Sequence, residues 1–127
     1  MDQKAFGVAI NCMDGRVQIP VIEFLKKEFG LDYVDAVTEP GPNKILAENR
    51  EQATVESIKR RVAISVKKHG SKIVALVAHF DCAGNPADKT VQLDQLYQAE
   101  KTVESWGLNT RIVRLWVDEN WQVHIVQ

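Results

Sequence analysis

The stretch INCMDGR at residues 10–16 brings three reactive side chains close together in the sequence. The thiol of Cys12 is followed by the carboxylate of Asp14 and the guanidinium of Arg16. A cysteine thiolate is both a nucleophile and a metal ligand. An arginine can hold a neighbouring carboxylate ionised and oriented through a charge-assisted, bidentate bond. Gly15 lies between the two charges and permits the tight backbone that such convergence needs.

A second stretch, HFDC, places an imidazole and another thiol three positions apart, at His79 and Cys82. If this stretch leaves a strand as a turn, both side chains can point at one place. Together with Cys12 they would supply two thiolates and one imidazole, a compact ligand set suited to zinc. Three protein ligands leave the fourth tetrahedral position for water, which distinguishes a catalytic zinc site from a closed structural one. Asp14 would then lie close enough to contact the metal or its water.

The elements that must position these residues alternate along the chain. Short apolar runs predict strands at 5–12, 31–38, 72–80, 109–117 and 121–127. Apolar residues spaced three and four apart predict helices from about Pro20 to Gly30, from Ile45 to His69 and from Val91 to Trp106. The segment TEPGPN, at residues 38–43, is expected to be irregular because it contains two prolines and a glycine.

This order of elements predicts one three-layer α/β domain over residues 1–127, with a mostly parallel central sheet of the Rossmann-like kind. The last two strands are joined by the short segment 118–120, which indicates an antiparallel hairpin at the sheet edge. Ligands of such sheets bind beyond the carboxyl ends of the strands. Cys12 ends the first predicted strand and His79 ends the third, and we expect these strands to be neighbours.

The composition narrows the classes of function. The 127 residues are 45% hydrophobic and 26% charged, as in ordinary globular proteins. A net charge of −1 provides no basic surface for nucleic acid or anionic lipid, and a small-molecule partner is the easier expectation. No apolar run approaches the roughly 20 residues of a membrane helix. The N-terminus also has too short an apolar stretch for a secretory signal, so we expect a cytoplasmic protein, in which thiols stay reduced.

The combination C-x-D-x-R followed by H-x-x-C resembles the β-class carbonic anhydrases. It occurs here as Cys12-Met13-Asp14-Gly15-Arg16 and His79-Phe80-Asp81-Cys82. The two halves stand in the correct order on the ends of the first and third predicted strands, and the likeness covers roughly residues 5–117. The chain is therefore similar to a compact, divergent member of that family, with Gly15 where the family motif has serine.

The resemblance implies a zinc enzyme that hydrates carbon dioxide reversibly to bicarbonate and forms a homodimer or a higher homo-oligomer. Cys12, His79 and Cys82 correspond to the zinc ligands. Asp14 and Arg16 correspond to a catalytic pair that either orders the zinc-bound hydroxide or, in a closed form, lets Asp14 take the fourth ligand position. The same site could support hydrolysis of carbonyl sulfide or carbon disulfide, or it could be a catalytically silent zinc site.

Plainer interpretations of the same residues stay open. Cys12 and Cys82 could be buried small apolar residues or a redox pair, although the sequence has no C-x-x-C motif. Asp14 and Arg16 could be an ordinary surface ion pair. A phosphatase loop is excluded, because only three residues separate Cys12 from Arg16 and no glycine-rich cradle accompanies them.

Several other residues are expected to be structural. Asp81 is more easily a solvated or turn-capping residue than a ligand, and His69 and His124 have no evident chemical partner in the sequence. Glu39 would add negative charge beside an anionic product if its side chain pointed into the site. The three tryptophans are expected to pack the core or an interface, and they are Trp106, Trp116 and Trp121.

Overall fold

A computed structural model describes residues 4–127, in which five strands form one sheet. The strands are β1 (Phe6–Cys12), β2 (Tyr33–Glu39), β3 (Ile73–His79), β4 (Arg111–Val117) and β5 (Val123–Ile125). They lie in the order β2-β1-β3-β4-β5, and all neighbouring pairs are parallel except β4 with β5. The predicted α/β class, the parallel sheet and the antiparallel hairpin at its edge are confirmed.

Helices cover both faces of the sheet, because the strands are apolar on both sides. The helices are α1 (Gln18–Phe29), α2 (Pro42–Glu48), α3 (Gln52–Lys68) and α4 (Lys89–Glu104). Side chains of β3 alternate between the two faces. Leu76 packs in a core with α2, α3 and α4, whereas Val77 packs in a core with α1. None of the helices in residues 4–127 is long and apolar enough to cross a membrane.

The prediction of one helix from Ile45 to His69 is wrong. The chain leaves the helical conformation at Asn49, which has a left-handed φ of 52° and donates its N–H to the carbonyl of Ile45 at 3.0 Å. Asparagine tolerates this conformation better than most residues, so it can end α2 and let the chain turn into α3. The apolar spacing gave no sign of this break, because both helices place apolar residues against the same core.

The expectation that residues 38–43 are irregular is also wrong at both ends. Thr38 and Glu39 continue β2, and α2 already begins at Pro42. Proline fits the first helical turn because its missing N–H would have no partner there. Only Pro40 and Gly41 form the turn, and Gly41 adopts a left-handed φ of 65°.

This turn packs directly on the loop that follows Cys82. A Cβ atom on Gly84 would lie 2.5 Å from the carbonyl carbon of Pro40, and a Cβ on Gly41 would lie 2.8 Å from Cβ of Asn85. Side chains larger than hydrogen therefore do not fit between the two segments. The close backbone contact fixes the position of the loop that carries Cys82.

We predict that Gly84→Ala lowers the free energy of unfolding by about 1–3 kcal/mol, because the added methyl group must displace the backbone of Pro40. Gly15→Ala is the matched control, since a Cβ there meets nothing within 4 Å. Urea denaturation of the metal-free proteins measures both changes. Equal stability of the two variants would contradict the backbone contact described here.

Candidate metal centre

The structure brings together the three candidate ligands that the sequence singled out. The pairing of β1 with β3, with Ile10 opposite Leu76, puts the carboxyl ends of both strands at one edge. Cys12 and His79 are the last residues of these strands, and Cys82 follows in the next loop. The ligand atoms of the three side chains all lie within 4.8 Å of one another, and the two sulfur atoms are 3.8 Å apart.

The turn after β3 directs Cys82 back toward the strand ends. Phe80 still donates its N–H to the carbonyl of Val117 at 2.9 Å, which continues the ladder with β4 for one residue. Asp81 then adopts a left-handed φ of 58° and reverses the chain. Cys12, His79 and Cys82 are all buried, with at most 4% of each residue exposed.

The imidazole of His79 has the tautomer that a metal ligand needs. Its Nδ1 lies 2.7 Å from the carbonyl oxygen of Phe80, and a carbonyl can only accept, so Nδ1 carries the proton. Nε2 is then a free lone pair, buried and without a hydrogen-bond partner among the described residues. A hydrogen bond on the far nitrogen is the usual means of orienting a metal-bound histidine. Gln92 supports the same segment by donating to the carbonyl of His79 at 3.0 Å.

The two thiols share their protons unequally. The hydrogen bond from Cys82 lowers the pKa of Cys12 to about 4 against the opposing effect of burial, and His79 and the backbone N–H groups of Gly41 and Asp14 assist. The bond to Cys12 correspondingly raises the pKa of Cys82. Cys12 therefore gives up its proton more readily than Cys82, and the thiolate is the form that binds metals.

Burial opposes the charged form of His79, yet the negative charge of the neighbouring Cys12 raises its pKa overall. A metal cation bound by the three residues would itself balance the negative charge of Cys12. The donor set of two sulfurs and one nitrogen, the buried lone pair of His79 and a cavity of about 10 Å³ that all three residues help to line fit a single zinc ion.

Asp14 and Arg16 form the bidentate pair that the sequence predicted. Arg16 donates from Nη2 to Asp14 Oδ2 at 2.7 Å and from Nε to Asp14 Oδ1 at 3.1 Å. This interaction lowers the pKa of Asp14 to about 2 and raises that of Arg16. The Asp14 carboxylate does not belong to the group of atoms within 4.8 Å that Cys12, His79 and Cys82 form.

Two partners of Arg16 were missed by sequence reasoning. Asp81 accepts from Arg16 at its carboxylate, at 3.3 Å, and at its backbone carbonyl, at 3.1 Å. The indole of Trp121 lies under the guanidinium, 4.4 Å from Cζ to the ring centroid. The position of Asp81 within HFDC was a usable signal, because it adjoins the ligands. The sequence gave no signal for the contact between Trp121 and Arg16, since this contact depends on how the hairpin folds back.

The other titratable candidates have partners elsewhere. The carboxylate of Glu39 pairs with Arg61 of α3, which offsets the negative charge expected beside the site. His69 bonds to Asp35 at 2.6 Å, and His124 bonds to Asp118 at 2.6 Å. Neither histidine is in the cluster of candidate ligands. Trp116 is buried in the core, as expected.

Solved structures with the same architecture include carbonic anhydrases. The chain resembles a carbonic anhydrase from Streptococcus mutans at a TM-score of 0.65 and 14% identity, over 98% of this chain and 82% of that one. It also resembles a β-carbonic anhydrase, isoform I, from Trichomonas vaginalis at a TM-score of 0.63 and 14% identity, over 97% and 82% of the two chains. These likenesses define the fold as that of the β-carbonic anhydrases.

The family model described as "Putative carbonic anhydrase" matches residues 2–127, and the chain belongs to that family. The resemblance drawn from the sequence motifs is thereby confirmed. No curated protein sequence matches the chain. A weaker structural likeness, at a TM-score of 0.49 and 14% identity over 97% of this chain and 78% of the other, is to the apo form of a carbon disulfide hydrolase.

The hairpin that carries Trp121 depends on Asp118. Its Oδ1 accepts from the backbone N–H groups of Asn120 and Gln122, at 2.8 and 3.0 Å, and its Oδ2 is bonded to His124. The bond to His124, followed by that from Gln122, lowers the pKa of Asp118. A carboxyl group with a depressed pKa contributes stability above its unfolded-state value, and the contribution is lost as the pH falls through the folded-state value.

We therefore predict that Asp118→Asn reduces the hydrogen-exchange protection of the His124 and Val126 amides, which face β4, at pH 7. The difference from the unchanged protein should shrink below about pH 3.8, as Asp118 itself becomes protonated. NMR protection factors over a pH series measure this. Glu119→Gln, in the same turn, is the control for loss of a negative charge. A difference that stays constant down to pH 2 would contradict the role given to the Asp118 carboxylate.

Proposed function

We propose that the chain is a zinc-dependent enzyme that hydrates carbon dioxide reversibly to bicarbonate. The observation that carries the proposal is the buried cluster of Cys12, His79 and Cys82 at the carboxyl ends of β1 and β3. Membership of the carbonic anhydrase family supports it. Zinc, when bound, would supply a Lewis acid that activates water for attack on the carbon of carbon dioxide.

The three candidate ligands would hold zinc with little rearrangement. The pKa of Cys12 is already lowered and Nε2 of His79 has no hydrogen-bond partner among the described residues, and Cys82 would lose its proton if a metal replaced the hydrogen bond between the sulfurs. Neighbouring residues hold these ligands in place. Gln92 and the Phe80 carbonyl hold His79, while the contact between Gly84 and Pro40 holds the loop of Cys82.

Asp14 would orient the attacking water through a hydrogen bond to its carboxylate. Because Arg16 keeps the pKa of Asp14 near 2, this group stays an acceptor over the whole neutral range. Arg16 is itself fixed by Asp81 and by the face of Trp121, so the carboxylate has one preferred direction. A preorganised acceptor of this kind lowers the cost of orienting the nucleophile.

We further propose that the enzyme acts in the cytoplasm, where its thiol ligands stay reduced.

We also propose that the chain forms a homodimer. Two exposed apolar residues, Phe80 and Ile125, support this proposal. They are 44% and 45% exposed, and both line a cavity of about 680 Å³ beside the hairpin. Exposed apolar residues grouped in this way are typical of a protein interface.

Stopped-flow assays of carbon dioxide hydration on the zinc-loaded protein, across a pH series, test the proposal. We expect turnover above the buffer rate and about one zinc per chain. Cys82→Ser should lose turnover and bind zinc far more weakly. Asp14→Asn should keep zinc but lose roughly 10- to 100-fold in kcat/KM, because the orienting carboxylate is gone. Asp94→Asn, which removes a carboxylate from the exposed face of α4, is the matched control.

The outcomes separate the competing functions. Zinc bound in full without carbon dioxide turnover at any pH would overturn the anhydrase proposal. Carbonyl sulfide or carbon disulfide tested in parallel would then distinguish a hydrolase of a carbon dioxide analogue from a silent zinc domain. Turnover that survives the Cys82→Ser change would show that the activity does not reside in this cluster.

A further inference from the structure

Two unsatisfied polar atoms belong to residues that line the same small cavity. Within residues 4–127, only three buried side-chain nitrogen or oxygen atoms have no hydrogen-bond partner, namely Asn43 Oδ1, His79 Nε2 and Arg114 Nε. Asn43 and His79 line the cavity of about 10 Å³ that Cys12 and Cys82 also line. The role of His79 Nε2 as a metal ligand accounts for one of the two atoms. Asn43 Oδ1 has no role in the function proposed so far.

The orientation of the Asn43 amide is fixed by its other end. Nδ2 donates to the backbone carbonyl of Val77 at 2.5 Å. Since that carbonyl can only accept, the NH₂ group must face β3 and Oδ1 must point away from it. Asn43 is the second residue of α2 and is 2% exposed, so water outside the protein does not satisfy the oxygen. A buried acceptor without a donor is destabilising, which indicates that a donor belongs there.

We propose that Asn43 sets the ligand selectivity of the metal site. Its Oδ1 accepts a hydrogen bond from the ligand in the fourth coordination position of the metal. The site then favours ligands that carry a proton, such as water or bicarbonate, over anions that carry none, such as thiocyanate. The inference rests on the proposed function only in that it requires a metal on Cys12, His79 and Cys82.

An acceptor oxygen discriminates for a simple reason. A ligand with an O–H group forms a hydrogen bond to it, whereas an anion without a proton places negative charge or a lone pair against another lone pair. A ligand with an O–H group therefore gains a hydrogen bond to the Asn43 oxygen. An anion without a proton leaves that oxygen buried and unpaired. This resembles the way a site built for one hydrogen bond rejects a ligand that lacks it.

Thiocyanate binding to the cobalt-loaded protein tests the inference. Co²⁺ accepts the same ligands, and its visible absorption reports changes in coordination without any enzymatic assay. We expect Asn43→Leu, which removes the acceptor together with the donor to the Val77 carbonyl at similar volume, to lower the Kd for thiocyanate about tenfold. Asn43→Asp keeps an acceptor oxygen and adds negative charge, so it should bind thiocyanate no more tightly than the unchanged protein.

Asn85→Ala is the matched control. Asn85 lines the same cavity, but its amide already donates to Gln95 at 2.6 Å. The Kd of the Asn85→Ala protein for thiocyanate should equal that of the unchanged protein. If Asn43→Leu does not fold, Asn43→Ala replaces it, since alanine also lacks the acceptor.

The cobalt content of each protein, measured first, keeps the two claims apart. An unchanged protein that binds no Co²⁺ and no Zn²⁺ would overturn the metal site and this inference with it. A protein that binds Co²⁺, but whose Kd for thiocyanate is the same with leucine or alanine at position 43, would overturn the role of Asn43 and leave the proposed function standing. The role of Asn43 would also be overturned if Asn85→Ala strengthened thiocyanate binding as much as Asn43→Leu does.

Discussion

The parallel pairing of β1 with β3 is the constraint on which the rest of this site depends. Because both strands run in the same direction and are hydrogen-bonded neighbours, their last residues, Cys12 and His79, must meet at one edge of the sheet. The reversal at Asp81 then needs only three residues to bring Cys82 to the same point. A ligand set drawn from positions 70 residues apart is thus assembled by strand order and not by a local motif.

The surroundings of the cluster hold its members in the states that metal binding requires. A carbonyl oxygen fixes the tautomer of His79, the hydrogen bond from Cys82 lowers the pKa of Cys12, and two glycines allow the loop of Cys82 to pack against the turn after β2. Arg16 plays the same part for Asp14, and Asp81 and Trp121 hold Arg16 in turn. The preorganisation therefore extends from the ligands to the hairpin at the far edge of the sheet.

Much of this arrangement could be predicted from the sequence. Apolar runs located the strands, and the rule that ligands gather at carboxyl ends brought Cys12, His79 and Cys82 together in advance. Features set by a single backbone conformation could not be predicted. The left-handed turn at Asn49 divides one expected helix into two. The left-handed Gly41 and the start of α2 at Pro42 place Asn43 in the lining of the cavity that the candidate ligands share. Trp121 reaches Arg16 only because the hairpin folds back, which no local pattern encodes.

The central claim is that one metal ion is bound by two sulfurs and one nitrogen in this chain. Zinc K-edge X-ray absorption of the purified protein tests it most directly, because the method counts ligand atoms by type and distance. We expect the zinc to have two sulfur atoms at about 2.3 Å, one nitrogen at about 2.0 Å and one further light atom as ligands. In Cys82→Ser protein reconstituted with zinc, the sulfur count should fall to one. A first shell of nitrogen and oxygen alone, or a shell unchanged by that substitution, would contradict the account.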